Sequence, residues 1–294
     1  MDWKSHKIEV LLEQALIEDH AAEDATAHLA IDPNLRAAAS IVAREDMVVA
    51  GLGAIPRIFE IYARLDPHPQ AKTRFEVVSH PEIFDGVRAH KGQVLAVIRH
   101  NAQAILACER VILNLLAHLS GIATLTRQFA DAIQGTKAHV LDTRKTVPGL
   151  RVLDKYAVLC GGGTNHRIDL PTGILVKSNH IALGGGMAAV MSRVLASRKP
   201  GQRVEVEVRT LAQLEEAIAN GAEALLFEDM TPKTVRRAME RVHKEERWIP
   251  TEASGSIPIE QARAYADAGV EFISVGALTH SARSVRLAMN IVPE

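Results

Sequence analysis

Ala138-His139-Val140-Leu141-Asp142-Thr143-Arg144-Lys145-Thr146 couples a short apolar run to a cationic exit, and the pattern recurs twice downstream. Tyr156-Ala157-Val158-Leu159-Cys160 is broken by Gly161-Gly162-Gly163 before Thr164-Asn165-His166-Arg167, and Ile174-Leu175-Val176 leads into Lys177-Ser178-Asn179-His180. Apolar runs of this length, bounded by glycines and polar clusters, read as parallel strands buried on both faces. The charged groups Arg144, Lys145, His166, Arg167, Lys177 and His180 then sit at one edge of a sheet, where several segments converge on one anionic ligand. A single Arg or Lys after a strand is commonly just solvated. Three such exits in succession favour a binding site.

The same layout continues to the C-terminus. Val204-Glu205-Val206-Glu207-Val208 alternates, Ala224-Leu225-Leu226-Phe227 leads into Glu228-Asp229, and Trp248-Ile249-Pro250 leads into Glu252-Ala253-Ser254-Gly255. Phe272-Ile273-Ser274-Val275 exits through Gly276-Ala277 toward His280. Between these runs Leu211, Leu214, Ala217 and Ile218 recur at helical spacing, as do Val235, Ala238, Met239 and Val242. Pro232 suits a first helical turn, and Gly221 and Gly269 fall where helix ends need a left-handed residue. Strands alternating with helices predict a parallel α/β sheet with right-handed crossovers, and about seven strands from residue 138 onward favour a barrel over an open doubly wound sheet. The active site of such a barrel lies at the C-terminal ends of its strands, where every charged cluster named above falls.

With 294 residues, 47% of them hydrophobic, there is material for one large domain or two ordinary ones with a sizeable core. A net charge of -1 gives no overall electrostatic case for nucleic acid or an anionic membrane as partner. No uninterrupted apolar stretch approaches the roughly 18 residues of a membrane span. Met1-Asp2-Trp3-Lys4-Ser5-His6-Lys7 leads into an amphipathic pattern and not a signal-peptide core, so the expected location is the cytosol. Cys108 and Cys160 form no Cys-x-x-Cys pair and read as small buried side chains.

The first third has another rhythm: an amphipathic helix around Ile8 to Ile17, a β-like run from Ala38 to Ala43, a helix near Ala54 to Leu65, and strands near Thr73 to Val78 and Gln93 to His100. This mixed α+β pattern reads as a separate domain. From Gln103 to Ala132 the pattern is a long helix with one broad apolar face, interrupted by Glu109 and Arg110, which by spacing alone are a solvated pair.

Leu141-Asp142-Thr143-Arg144-Lys145-Thr146, Pro148-Gly149-Leu150, Lys155-Tyr156-Ala157-Val158 and Gly161-Gly162-Gly163-Thr164-Asn165-His166-Arg167 together resemble the quinolinate phosphoribosyltransferase family. The likeness extends over most of the chain, through Leu119-Ser120-Gly121-Ile122-Ala123-Thr124, Glu205-Val206-Glu207-Val208, Glu252-Ala253-Ser254-Gly255 and Ser274-Val275-Gly276-Ala277-Leu278-Thr279-His280. It implies an α/β fold made of an N-terminal α+β sandwich, residues 1–113, rejoined by the C-terminal segment 279–294, and an open seven-stranded α/β barrel over 114–278. It also implies phosphoribosyl transfer from phosphoribosyl pyrophosphate to quinolinate with loss of CO2, giving nicotinate mononucleotide for NAD biosynthesis. Magnesium and a homodimer or larger assembly with shared active sites come with that resemblance.

By resemblance, Arg144, His166, Arg167 and Lys177 hold the two quinolinate carboxylates, Lys145 and Lys177 face the phosphoribosyl moiety, and Arg110 completes the site of a neighbouring subunit. Guanidinium forks suit carboxylates because two parallel hydrogen bonds form at once. Glu207 and Glu228 match carboxylates that face the ribose hydroxyls and the magnesium, directly or through water. Ser254, Gly255, Gly276 and His280 match a cradle for the 5'-phosphate. Catalysis by Lys145, Glu207 and Glu228 is then positioning and charge stabilisation, with no residue serving as nucleophile or general base. Glu205 is expected on the opposite face from Glu207, in a structural role.

Four positions depart from the usual family pattern. Ser178 replaces an Asp after Lys177, Phe227-Glu228-Asp229 replaces Leu-Asp-Asn, Glu23-Asp24-Ala25-Thr26-Ala27 replaces Gly-Asp-Val-Thr-Thr, and Ser256 replaces a glycine. A silent ligand-binding paralogue is the alternative that altered Ser178 and Glu228 leave open. A phosphoribosyltransferase for a related pyridine carboxylate is the other, and it would need fewer cations than this set.

Overall fold

The computed structural model describes residues 1–294. Ile8, Leu12 and Leu16, spaced by four, form the buried face of helix α1 (His6–Glu18). Helix α2 (Ala25–Ala30) is capped by Asp24, whose carboxylate accepts from the Ala27 N–H at 2.9 Å. Strands β1 (Arg36–Ala43) and β2 (Met47–Val48) precede α3 (Ala54–Leu65), which buries Ile55, Ile58, Phe59 and Tyr62 along one face. Then come β3 (Glu76–Val78), β4 (Arg88–Ala89) and β5 (Val94–Asn101). β1 and β5 pair antiparallel from Arg36↔Asn101 to Val42↔Val94, and β3 lies on the far side of β5.

The 31-residue helix α4 (Ala102–Ala132) follows β5 directly. By length and composition it could cross a membrane, although no uninterrupted apolar run within it approaches a span. Most of its apolar stretch is nevertheless buried inside the protein, as in a core helix, with Ile105, Ile112, Leu116, Leu119 and Ile122 fully enclosed.

Parallel strands and helices then alternate: β6 (His139–Leu141), α5 (Arg151–Cys160), β7 (Ile174–Val176), α6 (Ser178–Leu183), α7 (Met187–Ser197), β8 (Val204–Val208) and α8 (Leu211–Ala219). They continue through β9 (Ala224–Glu228), α9 (Pro232–Val242), β10 (Thr251–Ser254), α10 (Ile259–Ala266), β11 (Phe272–Ser274) and α11 (Ala277–His280). The sheet runs β6-β11-β10-β9-β8-β7, every pair parallel. Beyond β6, Thr164 makes a single parallel bridge to Leu141 and takes the seventh place. Six of the roughly seven expected strands thus form in parallel, and the seventh place is held by this single-residue bridge.

Tyr156–Cys160 is not the strand that its composition suggested; it is the second half of α5. Leu153, Ala157 and Val158 are buried at helical spacing, a periodicity that a five-residue apolar window is too short to reveal. The last strand, β12 (Leu287–Pro293), returns to pair antiparallel with β1.

Two compact units result. One holds Met1–Leu125, Pro148–Gly161 and Ala282–Glu294; the other holds Thr126–Val147 and Gly162–Ser281. The division expected at 113/114 thus falls at 125/126. Residues 114–125 are tied to the first unit: Ser120 Oγ and Thr124 Oγ1 accept from the Ala50 and Val48 N–H groups, and the Val285 N–H donates to the Ala117 carbonyl. Gly121 lets the returning chain approach, since a Cβ there would lie 2.1 Å from the Arg283 carbonyl oxygen.

Candidate active site

Side chains two apart on a strand share a face. In the second unit this sets Glu205 beneath Glu207 on β8, Leu226 beneath Glu228 on β9, and Glu252 beneath Ser254 on β10. Thr143, Arg144, Lys145, His166, Arg167, Leu175, Lys177, Leu226, Glu228, Glu252, Ser254 and Ser274 line one cavity at the C-terminal ends of the strands. Five of the six expected cations meet there. His180 does not: its Nδ1 accepts from the Lys177 backbone N–H at 2.9 Å, in the first turn of α6. A helix that begins directly after Lys177 turns this imidazole into a cap.

Asp142, at the exit of β6, organises the cationic loop. It is fully buried, and its carboxylate accepts from Asn165 Nδ2 at 2.6 Å and from the His166 backbone N–H at 2.8 Å. The neighbouring Arg167 donates from Nη1 to the Gly173 carbonyl at 2.7 Å. Burial and the nearby Arg144 guanidinium press the Arg167 pKa downward. Two guanidiniums that repel across a cavity are a standing preference for an anion, because a guanidinium does not shed its proton.

Below them, His166 Nε2 lies 3.3 Å from Glu205 Oε2 and 3.4 Å from Glu252 Oε2. Glu205 therefore does not face away from Glu207: a separation of two residues is a full pleat period, so both carboxylates point inward. Burial opposes a charge on His166, but Glu205 and then Glu252 outweigh it and raise the ring to about 10. The Arg167 backbone N–H, 2.7 Å from Nδ1, pulls the other way, since it suits a ring that is unprotonated at that atom. Two carboxylates in a low-dielectric interior outweigh one neutral hydrogen bond, so a doubly protonated ring requires this amide contact to open.

At the rim, Glu207 is 5% exposed and its Oε2 accepts from Lys177 Nζ at 3.0 Å. Arg209, which no local sequence signal marks, spans the acids. Its Nη2 is 3.7 Å from Glu207 and 4.0 Å from Glu228, and its Nη1 is 3.1 Å from Asp229. Glu207 and Glu228 are thus spaced to share one cation. On the other side Lys145, Gly276, Thr279 and His280 converge: Thr279 Oγ1 donates to the Lys145 carbonyl at 2.8 Å. A Cβ on Gly276 would lie 3.1 Å from both His280 Nε2 and Lys145 Cδ. Gly255 has φ +127, and a Cβ there would lie 2.6 Å from Asp229 Oδ1. Arg110 is exposed on α4 in the first unit, where it borders a separate hollow with Leu115, His118 and Leu153.

An α/β barrel with a cationic cavity at its strand ends, acidic groups on one rim and crowded glycines on the other matches a known family over nearly its whole length. Residues 24–120 match the quinolinate phosphoribosyl transferase N-terminal domain, and residues 122–290 match the C-terminal domain. The chain belongs to the quinolinate phosphoribosyltransferase family. It is 38% identical over 285 residues to the probable nicotinate-nucleotide pyrophosphorylase (carboxylating) of Bacillus subtilis (strain 168), covering 97% of this chain and 93% of that protein. It is 36% identical over 281 residues to the nicotinate-nucleotide pyrophosphorylase (carboxylating) of Mycobacterium leprae (strain TN), covering 95% of each. The crystal structure of NadC from Streptococcus pyogenes superposes with a TM-score of 0.90 at 32% identity, covering 100% of this chain and 99% of that one.

Proposed function

We propose that this enzyme transfers the phosphoribosyl group of phosphoribosyl pyrophosphate to quinolinate and decarboxylates the adduct, giving nicotinate mononucleotide, pyrophosphate and CO2. The observation that carries this reading is the convergence of Arg144, Lys145, His166, Arg167 and Lys177 on one cavity. A ligand with two adjacent carboxylates uses such a set, whereas a monocarboxylate leaves part of it unpaired. Arg144, Arg167 and Lys177 bind the quinolinate carboxylates, with His166 beneath them. Ser254, Gly255, Gly276 and His280 take the 5'-phosphate, where the missing side chains let backbone N–H groups approach it.

The pyridine nitrogen attacks the ribose C1 as pyrophosphate departs. Glu207 stabilises the positive charge developing on the sugar, and Lys145 neutralises the leaving group. Magnesium, when bound, would add neutralisation at the pyrophosphate, held by Glu207 and Glu228 directly or through water; their shared reach to Arg209 supports that fit. We further infer a homodimer or larger assembly in which Arg110 serves the partner's site, and a cytosolic location, which suits two free cysteines.

The deciding assay incubates the purified protein with quinolinate, phosphoribosyl pyrophosphate and magnesium and detects nicotinate mononucleotide. No product beside an active control would leave a silent paralogue; product from nicotinate alone would reassign the substrate. For Arg110, mixed Arg110→Ala and Arg144→Ala chains should regain activity that neither has alone. A mixture that exchanges subunits and stays inactive refutes the shared site.

A further inference from the structure

The reaction proposed above consumes one proton whose source is still to be assigned. Once the ring nitrogen is quaternised, the bond from C2 to its carboxylate breaks, CO2 departs, and the electron pair stays on C2 beside the positive nitrogen. Nicotinate mononucleotide carries hydrogen at that carbon, so water or a side chain of the cavity must deliver a proton there.

The cavity holds two acids. Glu228 lies at the rim, near Arg209. Glu252 lies deeper, 4% exposed, in register with the uncharged Leu226 and Phe272 on the neighbouring strands and close to the Ser274 hydroxyl. One of its oxygens, Oε2, faces His166 Nε2 at 3.4 Å; the other, Oε1, is buried without a hydrogen-bond partner. A buried oxygen with nothing to bond is costly, and it persists where a ligand or a catalytic task uses it. An ionised Glu252 would repel the dianion that the surrounding cations attract, so quinolinate binding selects its neutral form. Burial pushes the Glu252 carboxyl upward, in the same direction.

We propose that Glu252, as a neutral acid, donates the proton that replaces CO2 on the pyridine ring. The C2–carboxylate bond breaks to release CO2, the pair left on C2 takes the proton from Glu252, and Glu252 becomes a carboxylate facing His166. Solvent restores the proton. His166, Glu205 and Glu252 also border a second hollow at the N-terminal ends of the strands, beside Ala224, Pro250 and Phe272, so the acid can be recharged from a side the substrate does not occupy.

This rests on the proposed activity, and the test separates the two. Wild type and Glu252→Gln are compared in rapid-quench single turnovers with quinolinate, phosphoribosyl pyrophosphate and magnesium, reading pyrophosphate, quinolinate mononucleotide and nicotinate mononucleotide. The variant should release pyrophosphate as wild type does, accumulate quinolinate mononucleotide, and form nicotinate mononucleotide about 10²- to 10⁴-fold more slowly. Its quinolinate affinity by calorimetry should be at least that of wild type, since the amide is neutral without taking up a proton. Wild-type product formation by the variant overturns the proposal, and so does a parallel loss of quinolinate affinity, which would make Glu252 a positioning residue for His166. If Glu252→Gln does not fold, Glu252→Asp keeps the acid but shortens its reach, and must slow decarboxylation more than phosphoribosyl transfer; equal slowing, or none, overturns the proposal. A wild type that yields no nicotinate mononucleotide defeats the functional reading itself.

Discussion

Replacing Asp142 by Ala removes at least two hydrogen bonds from a site with no exposure to solvent, among them those from Asn165 Nδ2 at 2.6 Å and from the His166 N–H at 2.8 Å. Hydrogen bonds to a charged acceptor are worth about 1.5–3 kcal/mol each, so the pair amounts to about 3–6 kcal/mol if independent. Water entering the space left by the carboxylate re-bonds part of this, which places the expected loss near about 3 kcal/mol. Asp142→Asn keeps one accepting oxygen and presents a donor where an acceptor stood, so it should lose about 1.5–3 kcal/mol. Urea unfolding at constant m reads these values. The Asp142→Ala, Asn165→Ala cycle should show a coupling of about 0.5–3 kcal/mol, because the two residues share a bond. Since His166 and Arg167 sit on the loop that Asp142 holds, quinolinate affinity should fall more than phosphoribosyl pyrophosphate affinity. An Asp142→Ala protein within about 1 kcal/mol of wild type, binding quinolinate normally, would refute the claim that this carboxylate organises the loop.

Gly255→Ala forces a side chain onto φ +127 and against Asp229 Oδ1, so the KM for phosphoribosyl pyrophosphate should rise while quinolinate affinity holds; unchanged kinetics would remove Gly255 from the phosphate cradle. Glu228→Asp should keep or improve turnover and Glu228→Gln should impair it, whereas wild-type behaviour from both would place the residue outside direct contact with metal or ribose. The Arg283 guanidinium, at 2.8 Å to both oxygens, and the Arg286 N–H hold Glu45 down at about 2 against its ordinary 4.5. A depressed folded pKa stabilises above 4.5, and that contribution is lost as pH falls from there toward about 2. With Arg283 71% exposed, solvent screening leaves about 1 kcal/mol, so Glu45→Gln should destabilise by that much at pH 7 and converge with wild type in acid; a pH-independent difference would contradict it.

Much of this protein could be read before any coordinates. Alternation of apolar runs with helical spacing locates β8, β9 and β11 and the helices α8 and α9, whereas the run Trp248–Pro250 falls just ahead of β10. Groups immediately following β6 and β7 identify Arg144, Lys145 and Lys177, because a strand end dictates where the next side chains emerge; His166 and Arg167 follow a run that is the second half of α5. The inward orientation of Glu205 is also legible, since a strand period of two places it on the same face as Glu207. Other features depended on the fold. Tyr156–Cys160 satisfies both a buried strand and a helix face, and only packing against residues outside that window selected the helix. His180 became a cap once α6 began at Ser178. Asp142, Arg209 and Glu252 carry no local signature, since a carboxylate after a strand or an arginine after Val208 is ordinary until its partners are known. Local sequence determined the elements and their exits, because backbone periodicity and turn chemistry act over a few residues. The polar constellation of Asp142 with Asn165, and of His166 with Glu205 and Glu252, was decided by tertiary structure alone: its members lie 23, 39 and 86 residues apart in the chain, and burial and mutual charge act only once the barrel has brought them together.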